Sequence, residues 1–197
     1  MSAPPAPPLL LASTSPQRRA ILEQLAVPFD AVAPAYEEKA GEDDDPVVLV
    51  REHARGKARS VAARAGDRPV LGVDTVVSCD GRVLGKPRSA EEAAGMLDRL
   101  GGKTHVVVSG LALVTPGWES VEDEATAVAF RPLTARDIAV YVASGEWEGR
   151  AGAYAIQGRG AALVRRIEGD YLNVVGLPAA RLVALLADRY AGVYGFG

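Results

Sequence analysis

The 197-residue sequence is 48% hydrophobic and 24% charged, the composition of a soluble globular chain long enough for one sizeable core. Its formal charge of -3 supplies neither a broad basic surface for nucleic acid nor a polybasic membrane anchor, and no apolar run reaches membrane-spanning length. One cysteine, Cys79, and two histidines, His53 and His105, exclude an internal disulfide, argue against a Cys/His zinc centre and suit a reducing cytoplasm, so any metal is expected to be a hard ion on carboxylates.

Residues 1–8, MSAPPAPP, lack the basic start and apolar core of a secretion signal and are expected to form a disordered Pro-rich tail. Residues 9–190 read as a single domain without repeat or linker. Leu9–Ala12 is a short strand. Ser13-Thr14-Ser15-Pro16 follows, with Ser15 as N-cap and Pro16 at the first helical position. The helix places Ile21, Leu22 and Leu25 on one stripe. Free N–H groups, three hydroxyls and Arg18-Arg19 in the first turn compose an anion site, and a bound anion would offset the unfavourable placing of cations at a helix N-terminus.

Val27–Pro34 reads as a second strand. An acidic loop follows, Tyr36-Glu37-Glu38-Lys39 and then Gly41 to Asp45, of which Glu42 to Asp45 is expected to be solvated. Asp45-Pro46 caps a helix whose apolar stripe is Val47, Val50, Ala54, Ala58, Val61 and Ala65. At about 100° per residue, Lys57 falls about 60° from the centre of that stripe, with Glu52 opposite, so the Lys57 amine can reach a cleft from the edge of the buried face. Leu71 to Pro87 reads as a hairpin turning at Asp80-Gly81, because both turn positions need positive φ. Alternation puts Leu71, Val73, Thr75 and Val77 on one face of its first strand and Gly72, Asp74, Val76 and Ser78 on the other. Asp74 is a carboxylate among valines and needs a charged or polar partner. Lys86 ends the return strand.

Ser89 and Glu92 fit a capping box ahead of a helix burying Ala93, Met96, Leu97 and Leu100 and ending at Gly101-Gly102. Thr104–Thr115 is a long strand, Pro116-Gly117 a turn with Trp118 partly exposed, and Glu124–Phe130 the returning strand. Thr134 caps a helix with Ile138, Tyr141 and Val142 inward. Gly145 to Gly160 is a long glycine-rich, mostly non-helical loop that lets backbone approach a ligand and carries one amide, Gln157. Ala161–Ile167 is a strand, Gly169 to Gly176 a turn through Asn173, and Pro178 opens a final helix with Leu182, Val183, Leu185 and Leu186 inward. His105 is expected to pack in the core.

These pieces combine a hydroxyl and arginine anion loop, acids at Glu37 or Glu38 and at Asp74, lysines at Lys57 and Lys86, and an amide able to face a base. Carboxylates bind Mg²⁺, and lysines neutralise the charge that moves in phosphoryl or nucleotidyl transfer. No Walker-type or Rossmann glycine motif is present. From the residues alone the chain reads as a metal-dependent enzyme acting on a nucleotide or similar phosphate ester.

Seven ordered blocks, LASTSPQRRAILEQL, YEE, HARGKA, LGVDTVV, LGKP, GGKTHVVVSGLAL and RAGAYAIQGRGAALVRRIEGDYLNVVGLP, resemble the Maf family of nucleoside triphosphate pyrophosphatases, from about Leu10 to Leu186. The resemblance implies an α/β fold with a mixed, elongated sheet and flanking helices in two lobes around a cleft, of the inosine triphosphatase type. It implies a cytoplasmic homodimer, a divalent cation (Mg²⁺ or Mn²⁺), and hydrolysis of NTP to NMP and pyrophosphate as a housecleaning activity, with dTTP and UTP as substrates. By position, Asp74 matches the catalytic acid and a metal ligand, Glu38 the acid that helps hold the metal, and Ser13, Arg18, Lys57 and Lys86 the triphosphate-binding set. Gln17, Thr75 and Gln157 fall at positions of subfamily choice. Thr75 and Gln157 match the dTTP/UTP group rather than the 7-methyl-GTP group, which has Gln and Glu there. Gln17 matches neither, since the first group has Arg and the second an aromatic. Ala155 stands where Gly is usual and Arg150 where Lys is usual. Two other readings follow from the same resemblance: a broad or modified-nucleotide pyrophosphatase, and a nucleotide-binding regulator of septum formation without turnover. None of these readings calls for nucleic acid or a membrane.

Overall fold

The computed structural model describes residues 7–39 and 44–196. The first six residues of the expected Pro-rich tail, and Gly41 to Asp43 of the acidic loop, lie outside the described residues. The elements in chain order are β1 (Leu9–Ala12), α1 (Pro16–Gln24), β2 (Phe29–Val32), α2 (Pro46–Ala62), β3 (Val70–Cys79), β4 (Arg82–Leu84), α3 (Ala90–Leu100), β5 (Thr104–Thr115), β6 (Trp118–Phe130), α4 (Ala135–Ala143), β7 (Val164–Glu168), α5 (Tyr171–Val175) and α6 (Ala179–Arg189). Short 3-10 turns cover Ala151–Ala153 and Gly158–Leu163. The strands form one seven-stranded sheet in the order β2-β1-β3-β5-β6-β7, with β4 paired to β3. β1 runs parallel to β2 and β3, and the remaining pairs are antiparallel. This is the mixed sheet with flanking helices expected from the sequence.

Local signals account for most boundaries. The Ser15 hydroxyl accepts from the Arg18 N–H, and the Asp45 carboxylate accepts from the Val47 and Val48 N–H groups, so α1 and α2 begin where a side chain satisfies free helical donors. Asp80 and Gly81 both take positive φ, 52° and 74°, as a two-residue hairpin requires. Other expectations shift. The second strand is shorter than Val27–Pro34, because Ala26 turns through φ 53° and Val27 bonds back to the Leu22 carbonyl, finishing α1. The returning strand is longer than Glu124–Phe130 and starts at Trp118, since its acidic stretch faces arginines of α2: Arg51 pairs with Asp123 at 2.7 Å and Arg55 with Glu119 at 2.9 Å. The strand expected at Ala161–Ile167 begins at Val164 after the 3-10 turn. The expected turn at Gly169 to Gly176 holds the short helix α5, capped by Asp170. The reciprocal capping box sits at Thr134 and Asp137; at Ser89, the Glu92 carboxylate instead accepts from the Arg88 N–H.

The two faces of β3 divide as alternation predicts. On one, Leu71 and Val73 join α1 and α6 in one apolar core, while Val77 joins α3 and α4 in another. Thr75 lies between these cores and hydrogen-bonds Ser109 of β5 at 2.9 Å, so the apolar face is interrupted at mid-strand. The other face, with Gly72, Asp74 and Val76, is covered by α2. A Cβ on Gly72 would overlap the Ala54 carbonyl, and one on Gly110 of β5 would overlap the Val50 carbonyl. Two glycines thus let α2 lie against the middle of the sheet.

Candidate active site

A cleft of about 370 Å³ opens beside the stretch of β3 between its pairings with β1 and β4. Its floor is Asp74 and Thr75, and its walls come from the loop after β1, the loop after β2, α2, the loop after β4, the glycine-rich loop and the end of α5. Ser13, Gln17, Arg18, Glu38, Lys57, Asp74, Thr75, Lys86 and Gln157 all line it. The structure thus gathers into one place every site residue expected from the sequence. Arg19 is the exception within the wider anion motif: it is exposed and lies outside the lining.

Asp74 is 5% exposed. Its Oδ1 accepts from Lys57 Nζ at 2.5 Å and its Oδ2 faces His53 Nδ1 at 3.1 Å. Burial alone would raise the Asp74 carboxyl, but His53, Lys57 and Arg18 hold it well below the usual carboxylate range. It is an anion at neutral pH. Lys57 is 4% exposed, deeper than the edge position expected from the helical wheel, because the two glycines bring α2 close. Its ammonium lies between Asp74 and Glu38, whose Oε1 is 2.6 Å away. The acid facing Asp74 is therefore Glu38; Glu37 points out to Lys39.

A loop clamped onto α2 brings Glu38 there. The Tyr36 ring packs against Gly56, where a Cβ would overlap it, and meets the His53 ring in an edge-to-face arrangement at 5.7 Å. The Lys39 carbonyl then lies 3.0 Å from His53 Nε2. Sequence reasoning gave His53 no role. A signal existed, since His53 and Lys57 are one helical turn apart on the stripe of Val50 and Val61. Its partner is on a strand 21 residues away, which periodicity cannot register. Asp74 raises the His53 pKa through their hydrogen bond, against the effect of burial.

The opposite wall is preorganised. Arg18 donates from Nε to the Gly176 carbonyl at 2.9 Å, from Nη1 to Ser13 Oγ at 3.1 Å and from Nη2 to Thr75 Oγ1 at 3.3 Å. Its guanidinium is held from three elements and retains N–H donors for a ligand. Gln17 accepts from the Ser15 hydroxyl at 3.1 Å, which leaves its NH₂ free to donate. Lys86 and Gln157 stand exposed at the rim. The glycine-rich loop is tied down: the Ala155 N–H donates to the Tyr141 hydroxyl, the Gly152 N–H to the Gly85 carbonyl, and the Glu146 carboxylate accepts from the Arg159 and Gly160 N–H groups. His105 lies outside the lining, buried against Phe130 and Tyr154.

Glu38, His53 and Asp74 each present a ligand atom, all within 4.8 Å of one another. Two carboxylates closing on one ammonium mark a place where positive charge is favoured, and the donor set fits a divalent cation.

The Maf-like protein family model matches residues 8–189. A relative from Symbiobacterium thermophilum named dTTP/UTP pyrophosphatase is 49% identical over 91% of this chain and 93% of its own. One of the same name from Moorella thermoacetica is 50% identical over 95% and 97%, and one from Deinococcus radiodurans is 44% identical over the full length of both chains. Among solved structures, a HAM1 protein from Coxiella burnetii shares the fold, at a TM-score of 0.50 and 15% identity, covering 91% of this chain and 98% of that one.

Proposed function

The chain belongs to the Maf-like protein family, and we propose that its cleft hydrolyses dTTP and UTP to the monophosphate and pyrophosphate. The observation that carries this reading is the buried Asp74 carboxylate, held ionised by Lys57 and His53 at the floor of a cleft whose far wall is a hydroxyl and arginine loop. Nearly full-length relatives named dTTP/UTP pyrophosphatase support the substrate.

In this reading Asp74, a weak base because its partners hold it well below the usual carboxylate range, orients the attacking water by accepting a hydrogen bond from it. An anion held by fixed partners keeps its lone pair oriented for that task. Ser13, Arg18, Lys57 and Lys86 bind the triphosphate oxygens and offset the charge that builds on the leaving pyrophosphate. Arg18, anchored at three points, offers its remaining N–H groups in a fixed plane suited to phosphate. Glu38 and Asp74 hold a divalent cation, which when bound supplies Lewis-acid charge for the phosphate oxygens. Thr75, Gln17 and Gln157 face the base, and a Gln amide can both donate to and accept from a pyrimidine edge. The enzyme is read as a cytoplasmic homodimer. Among the described residues no helix is long and apolar enough to cross a membrane.

Pyrophosphate release across a panel of dTTP, UTP, CTP, GTP and 7-methyl-GTP, with Mg²⁺ or Mn²⁺, tests the reading. The expected outcome is turnover concentrated on dTTP and UTP. Equal rates across the panel would move the reading to a broad pyrophosphatase, for which the departure at Gln17 is the motivating residue. Tight triphosphate binding with no release would favour the regulator instead.

A further inference from the structure

In the chemistry above His53 only helps to hold Asp74 ionised, yet it is 4% exposed and touches that carboxylate directly. Its Nε2 lies 3.0 Å from the Lys39 carbonyl oxygen. A carbonyl only accepts, so Nε2 carries a hydrogen and donates it. The neutral ring then has its lone pair on Nδ1, and Nδ1 faces Asp74 Oδ2 at 3.1 Å. Two electron-rich atoms at that separation need a positive centre between them, either a proton or a metal cation. A histidine that ligates through one ring nitrogen usually donates the other N–H to a backbone carbonyl or carboxylate, which fixes tautomer and orientation. The Lys39 carbonyl is placed to do this, and the Tyr36 ring packs against the imidazole in an edge-to-face arrangement. Glu38 completes a group of three ligand atoms within 4.8 Å.

We propose that His53 Nδ1 is a ligand of the divalent cation, so that the site is one nitrogen and two carboxylates and prefers Mn²⁺ or Co²⁺ to Mg²⁺. Imidazole suits first-row transition ions, whereas Mg²⁺ favours oxygen donors. The inference rests on the cation of the proposed reaction and adds to it the identity of one ligand and the direction of metal selectivity.

Pulsed EPR of tag-free protein loaded with Mn²⁺ reads the ligand directly. Protein carrying ¹⁵N only in histidine is expected to show ¹⁵N coupling to the metal. The only other histidine, His105, lies outside the cleft, so the coupling should vanish in His53→Gln, which keeps a polar side chain beside Asp74. By equilibrium titration the same variant should bind Mn²⁺ about 10-fold or more weakly, with Mg²⁺ affinity changing less than about 3-fold. Mn²⁺ bound without histidine coupling, or no Mn²⁺ binding at millimolar concentration, overturns the assignment. Should His53→Gln fail to fold, the labelled wild-type spectrum decides alone. Pyrophosphate release measured on the same preparation separates the two readings. Hydrolysis of dTTP without histidine coupling removes only the ligand assignment; histidine coupling without hydrolysis removes only the catalytic reading.

Discussion

His53 and His105 are buried to nearly the same degree, 4% and 1% exposed, and they have opposite characters. His53 faces a carboxylate on one side and a carbonyl on the other, and its pKa is raised. His105 meets Phe130 and Tyr154 edge-on, bonds the Tyr154 hydroxyl at 2.8 Å, and is pushed down to about 4 by burial. Its Nδ1 has no hydrogen-bond partner among the described residues. Loss of water is common to both places; what separates them is the charge of the nearest neighbour. The region around His53 is a set of mutually dependent charges, and the region around His105 is an apolar core with one polar pair.

The sharpest way to break the contrast is Asp74→Asn. It leaves Lys57 and His53 buried without their main counter-charge, which should cost about 3–5 kcal/mol of stability. Turnover of dTTP should fall by at least about 10²-fold. Urea unfolding and pyrophosphate release measure the two effects separately, and wild-type turnover in the purified variant would remove Asp74 from the reaction.

The next effect lies in the other region and has a definite sign in pH. A histidine whose folded pKa lies below its unfolded value contributes stability that is complete above the unfolded value and is lost as the folded state resists protonation. For His105 that loss runs from about 6.5 down to about 4 and should reach about 3 kcal/mol across the window. His105→Phe should flatten this part of the stability profile, and the difference between wild type and variant in urea melts at pH 7 and pH 4.5 isolates it. Identical profiles would mean that His105 is not held neutral by its core.

Gly72→Ala reaches the charged region from beneath. The added methyl meets the Ala54 carbonyl and lifts α2 off the sheet, at a cost of about 2 kcal/mol. It should also lower turnover by drawing Lys57 and His53 away from Asp74, with no effect on the His105 NMR resonances. Smallest is Gly56→Ala. Alanine suits a helix interior better than glycine by about 0.5–1 kcal/mol, yet its methyl displaces Tyr36 and with it Glu38. A melting temperature unchanged or raised should therefore accompany a loss of activity of about 10-fold.

The apolar region was more legible in the sequence than the charged one. Leu71, Val73 and Val77 follow a two-residue period, and Asp80-Gly81 fixes the hairpin, so the place of Asp74 on a strand could be read directly. Ser15 and Asp45 announced their helices. The loop, strand and lysine positions of the cleft were also readable as separate pieces. Their distances were not. Lys57 is buried because glycines on two strands let a helix approach, a fact of packing that no helical wheel contains. His53 looks like any ring on an apolar stripe until β3 is placed under it. The acidic start of β6 falls outside the strand expected from the sequence because its compensation, Arg51 and Arg55, lies on another element.

One further tie has a consequence for how such a protein can change over generations. The Gly152 N–H donates to the Gly85 carbonyl at 3.0 Å, joining the loop that carries Gln157 to the residue beside Lys86. In the proposed reading one end of the substrate is recognised by an amide and the other by an ammonium, and the backbone couples the two. A substitution that reshapes the base contact therefore also moves the phosphate grip. If Gln157 and Lys86 have the roles proposed, substrate choice and catalytic strength are expected to change together, and a shift to a new base to need compensating changes in both segments.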